Sequence, residues 1–302
     1  MAKEFFTEAE QERRFTSRSP DTHPLALHRG LARFNKARLA VTGPSAEWRH
    51  LLADEMAWHL REGEFLAALR EDVALLLPSE DLDADGFMAW FANLARSGPG
   101  QHHRLFTWLA HSARASDMKW FLRQEGAGEA GFDDLLACTQ LKLPVGPKPE
   151  LARNYGDEMG RGKLKAMHGA MLTTVVEELK LKPSIATTVW PALALANTML
   201  GLAMSRRYTY HLLGALGVIE LTAPTRVRLV FDGMRRLGMN GRIRSCFDLP
   251  HSEAWRCEVI RPLVEADPAC ARFIAEGALM RLVCGQRCFD CYADELMPAV
   301  LH

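Results

Sequence analysis

Apolar residues recur every three to four positions along nearly the whole chain, and no convincing run of alternating β-branched residues interrupts them. That periodicity predicts an all-α protein. The marked segments are 45–61 and 63–77, with Pro78-Ser79 as the break, then Asp81 to Arg96, closed by Ser-Gly-Pro-Gly at 97–100. Further helices fall near 101–113, 116–125 and 131–141, the middle one with Ser116-Asp117 as its N-cap. A helix over 148–159 ends at Gly160-Arg161-Gly162. Others occupy roughly 164–179, 184–203, 205–220, 224–237, 250–265, 268–284 and 286–298. No repeat of fixed period is visible, so the pattern describes a multi-helix bundle rather than a solenoid. Residues 1–44 are polar and broken by Ser19-Pro20, His23-Pro24 and Gly43-Pro44, which predicts a loosely attached arm. After it come an N-terminal helical extension over 45–112 and the main bundle over 113–302, expected to form one compact unit.

Composition narrows the function. At 302 residues the chain can bury a sizeable core. Lys+Arg and Asp+Glu both total 37 and no long basic block occurs, which argues against nucleic acid as a partner. No apolar run approaches the ~18 residues of a membrane span. The polar, acidic start is unlike a signal peptide, and the seven cysteines lack the rhythm of a secreted scaffold, so a cytoplasmic protein with reduced thiols is expected.

Candidate chemistry lies in carboxylates set in apolar helical context, because bundles build metal sites by projecting such groups inward. Glu220 stands out: every neighbour for eight residues upstream is apolar or glycine. A buried carboxylate must be paired, hydrogen-bonded, metal-bound or protonated. Glu125 shares a stripe with Phe121, and Glu158 lies at a helix end before two close glycines, with His168 ten residues on. That spacing fits no single straight helix face, but the glycines let the chain bend and bring both groups together. Asp248 and His251, three apart, share a helix face and could grip one ion, while Arg244 one turn earlier cannot ligate a metal. Singly, each has a plainer reading. Glu125 and Glu158 fit solvated helix ends, His168 a satisfied histidine, Asp248 an N-cap ahead of Pro250, and Glu220 a partner of an arginine or Thr222.

In order, Glu125, Glu158 with His168, Glu220 and the 244/248/251 triplet resemble the heme-oxygenase-like diiron oxidases and oxygenases, often labelled iron-containing redox enzymes. Members show a Glu, a Glu with a His ten residues later, another Glu, and then a His, an Asp four on and a His three beyond. The text around them is similar too: Phe132-Asp-Asp-Leu, Glu150 to Gly160, Gly214 to Pro224 and His251-Ser-Glu-Ala-Trp255. The resemblance covers roughly 115–300 and implies a bundle of heme-oxygenase-like type. It also implies iron held by Glu125, Glu158, His168, Glu220, Asp248 and His251, with dioxygen reduced there and Glu125 and Glu158 as candidate bridges and catalytic carboxylates. Arg244 stands where the first His of the triplet is expected. A cation there opposes a second divalent ion, leaving a weakened diiron site, one iron, or a metal-free descendant. Otherwise Arg244 clamps a substrate carboxylate. The implied reaction is oxygenation or oxidation of a small amine or amino-acid-like metabolite, such as N-oxygenation or oxidative cleavage in a biosynthetic pathway. The alternative is a cofactorless oxidase or a non-catalytic binding partner.

Other clusters carry less. Cys284, Cys288 and Cys291 copy an iron–sulfur spacing but lie on an apparent helix, where they form an apolar stripe. His102-His103 with His111 read as a solvated helix start. His211 and Tyr210 could line a substrate pocket because the same helix leads to Glu220, and Arg206-Arg207 could bind a carboxylate. The apolar helix over 184–203 could serve a homodimer as easily as a core.

Overall fold

The structure, a computed structural model, describes residues 23–78, 82–128, 132–239 and 251–297. Arg244 and Asp248 lie outside the described residues, and of His251 only the backbone is described. Among the described residues all regular secondary structure is helical, and no helix is long and apolar enough to cross a membrane.

Helix α1 (Pro24–Arg38) occupies ground that the sequence assigned to a loose arm. Pro24 opens it, where a missing N–H is harmless, and the His23 ring accepts from the Leu25 amide. Leu31 and Phe34 are buried on its inner face together with His28 and Asn35. Asn35 donates to Asn197 at 2.8 Å. Buried polar side chains do part of the work of apolar ones there, so a count of apolar residues misses the helix. Helix α2 (Trp48–Val73) runs unbroken through Gly63, where two helices were expected. A helical glycine costs only about 1 kcal/mol relative to alanine. The Arg38–Glu62 pair before it and buried Phe65, Leu66 and Leu69 beyond it outweigh that.

Helix α3 (Ala84–Ser97) is capped by Asp83, which accepts from the Gly86 amide at 2.7 Å. Helices α4 (Arg104–His111), α5 (Ala115–Gly128) and α6 (Phe132–Thr139) follow. Asp117 does secure the start of α5, but from within its first turn. Its carboxylate reaches back to the Arg114 amide at 2.9 Å. His103 caps α4 and meets Asp290 at 3.1 Å, so the 102/103 pair serves the helix start.

The rest comprises α7 (Lys148–Glu158), α8 (His168–Glu178), α9 (Trp190–Met204) and α10 (Thr209–Arg236). After these come α11 (His251–Ala254), which passes into a π-helical turn over Trp255–Ile260, then α12 (Arg261–Ala266) and α13 (Cys270–Leu296). Two of these are single helices where pairs were expected. α10 continues through Pro224 because Leu212 to Val218 before it and Gly233 and Met234 after it are anchored in the core. α13 continues through Gly285 between buried Cys284 and Cys288, which serve as core residues of its apolar stripe.

α10 and α13 form the central pair. A Cβ on Gly214 would stand 1.9 Å from the Ile274 carbonyl oxygen, and one on Gly277 equally close to that of His211, so two glycines let the backbones touch. Phe65, Leu69 and Phe91 of the expected extension share one core with Leu213 of α10 and Ile274 of α13. A second cluster unites Phe106, Phe121, Phe289 and Tyr292.

Candidate metal centre

Helix α7 presents Asn154 and Glu158, four residues apart, on one face. The chain then reverses through three left-handed residues, Gly160, Arg161 and Gly162, with φ of 62°, 50° and 79°. A Cβ at Gly160 would collide with the Ala166–Met167 backbone at 2.6–2.7 Å, so only glycine lets the loop close this tightly. The closure places His168, the first residue of α8, back beside the end of α7. Its Nδ1 lies 2.7 Å from Glu158 Oε2.

Asn154 is fully buried and donates its amide to Glu220 Oε1 at 3.2 Å, tying α7 to α10. Four residues after Glu220, Pro224 cannot donate to the Glu220 carbonyl, so the regular helical ladder is interrupted at the carboxylate itself. On the far side, Arg153 bridges Glu150 and Glu258, the latter at 3.2 Å, fastening α7 to the π-helical turn. Buried Trp255 in that turn donates from Nε1 to the Leu213 carbonyl at 3.3 Å and fixes α11, with His251 at its head, against α10. Such turns concentrate at functional sites.

Glu125 of α5 accepts from the Tyr292 hydroxyl at 2.9 Å. Tyr292 is fully buried, with Trp120 and Phe121 edge-on to its ring. Burial first, and then the Glu125 charge, push its hydroxyl well above the ordinary tyrosine range, so it remains a donor. Glu158 and His168 therefore meet directly, Asn154 one turn earlier on α7 holds Glu220, and Glu125 is held from α13. Among the described residues no three ligand-type side chains close on a single point.

His211 and Tyr210 sit elsewhere. His211 is nine residues before Glu220 on α10, about 14 Å along a helix rising 1.5 Å per residue. Its Nε2 meets buried Glu276 at 2.9 Å. Glu276 also receives Arg70 at 2.7 Å and Arg272 at 3.2 Å. Two contributors escaped the sequence reading. Asn154 carried a signal, since it falls one turn before Glu158. Tyr292 carried none, because it comes 167 residues after Glu125.

The donor chemistry fits iron: carboxylates with an imidazole suit iron or manganese. Asn154 adds a structural sign, since its Oδ1 is buried with no hydrogen-bond partner among the described residues while its amide holds Glu220.

Residues 119–286 match the model of a family described as iron-containing redox enzyme. Among solved structures, the chain is similar to a CADD-like protein of unknown function from Nostoc punctiforme. The two share 17% identity over 72% of this chain and 98% of that one, with a TM-score of 0.52, a likeness of fold. No curated protein matches the chain.

Proposed function

Because this chain belongs to the iron-containing redox enzyme family, we propose that it is a non-heme iron oxygenase or oxidase that turns dioxygen on a small amine or amino-acid-like metabolite. The observation that carries this reading is the Glu158–His168 pair at 2.7 Å on the helix end whose Asn154, one turn earlier, also holds Glu220. Glu158, His168 and Glu220 would hold iron, with Glu125, Asp248 and His251 completing the set. When bound, iron supplies the one-electron steps that dioxygen requires. The remaining work falls to the protein. Asn154 fixes the Glu220 carboxylate, and Tyr292 holds Glu125 through a hydroxyl that stays protonated. Such supporting hydrogen bonds orient ligands and tune affinity. The Glu158–His168 contact fastens the α7–α8 turn.

Arg244 sets the stoichiometry. Its guanidinium cannot ligate, and its charge opposes a second ion. Anaerobic Fe(II) loading followed by metal analysis tests the proposal: one or two irons per chain are expected, with an oxygen-dependent absorbance transient. No iron at all overturns it and selects the metal-free oxidase or binding partner. Arg244→His should raise the iron count.

A further inference from the structure

Far from Glu220, at the start of α10, the surface sinks into a cavity of about 380 Å³. Lys142, Arg206, Arg207, Thr209, Tyr210 and Phe273 line it, and no carboxylate does. Three cations on one small concavity repel one another, and among the described residues none of the three is ion-paired to a carboxylate. Arg206 is held in place by backbone: its guanidinium donates to the Cys138 carbonyl at 3.4 Å and to that of Leu141, beyond the end of α6. Lys142 and Arg207 have no such explanation.

The lining also carries an aromatic face. Phe273 is 38% exposed, far more than a phenylalanine of this core otherwise shows. Its ring rests against that of His211, centroid distance 5.5 Å, and His211 is locked by Glu276. That face is therefore held in place, and the Tyr210 hydroxyl in the same lining is a further donor, whereas Thr209 spends its proton on the Arg206 carbonyl at 2.8 Å. Cations and a hydroxyl in one lining with an aromatic face select a molecule that carries both an anionic group and an apolar ring.

We propose that this cavity binds a small organic anion, a carboxylate or phosphate carried on an aromatic body. It is a site apart from the candidate iron centre, since eleven helical residues separate Thr209 from Glu220, about 16 Å.

The test uses the full chain without added iron, so that its failure leaves the iron reading untouched. Benzoate, phenyl phosphate and benzyl alcohol are titrated by calorimetry and ligand-observed NMR. At least one of the two anions should saturate while benzyl alcohol does not, and their order identifies the favoured head group. The double variant Lys142→Ala/Arg207→Ala, with Arg206 intact, should weaken the bound anion at least tenfold, equivalent to about 1.4 kcal/mol. Arg207→Glu alone should abolish binding, with the melting temperature of both variants confirming the fold. The proposal is overturned if neither anion saturates, if benzyl alcohol binds as well as benzoate, or if the folded variants bind like the parent chain.

Discussion

Two of the histidine–carboxylate pairs among the described residues have nearly equal geometry and opposite character. Glu158 and His168 meet at 2.7 Å, with side chains 21% and 34% exposed. Glu276 and His211 meet at 2.9 Å and are 3% and 4% exposed. The decisive difference is in their neighbours. Glu276 also receives Arg70 and Arg272, so both of its oxygens are engaged by cations. Burial alone would raise its pKa, but the hydrogen bonds from His211 and Arg70 outweigh that and hold it at about 2. A carboxylate saturated by guanidinium groups has nothing left to offer a metal. Glu158 meets an imidazole, with no guanidinium bonded to it among the described residues. Residue types alone do not make a ligand site; the charge already spent on them decides.

Three experiments can break or sharpen that contrast. The largest effect is expected for Glu276→Ala, which leaves His211 and Arg70 facing each other in a buried place. Removing one member of a buried charge cluster costs about 3–5 kcal/mol. Denaturant unfolding should register that loss, whereas an unchanged midpoint would make the cluster a surface-like pair. The pH dependence has a definite sign. A carboxylate depressed to about 2 contributes stability that is fully present above its ordinary value near 4.5, and loses it as pH falls from there toward 2. The variant should therefore show a flatter stability curve across that window.

Next in size comes His168→Ala. It should cut Fe(II) affinity by about a hundredfold or more while changing stability by less than about 1 kcal/mol, the range of a partly exposed side chain. A large stability loss with unchanged iron binding would turn the pair into a second structural cluster. The smallest effect is expected for Tyr292→Phe, which removes one hydroxyl from Glu125. About tenfold in iron affinity and about 1 kcal/mol in stability are anticipated, with a shifted iron absorbance spectrum as the readout that packing alone would not move.

Helix content was legible in the chain because 3.6-residue periodicity survives tertiary packing. The lengths of α2, α10 and α13 were not. Gly63, Pro224 and Gly285 are local breakers, and burial on both sides of each overrides them. The Glu158–His168 closure was readable because both partners and the glycines between them lie within one short stretch. The Asn154–Glu220 bond crosses from α7 to α10, and the Arg70–Glu276 bond spans 206 residues. Periodicity has no access to such pairings. α1 stayed hidden for a third reason: its inner face is partly His28 and Asn35, which read as solvent-facing until Asn197 is placed beside them.

The glycine contact between α10 and α13 bears on how this protein can move. With the His211 and Ile274 carbonyls seated against opposing glycines, neither rod can slide along the other without lifting away or advancing a whole turn, about 5.4 Å. The crossing behaves as a pinned joint. The pinned pair thereby holds Glu220, six residues beyond Gly214, in a fixed register, and the Asn154 bond ties α7 to that frame.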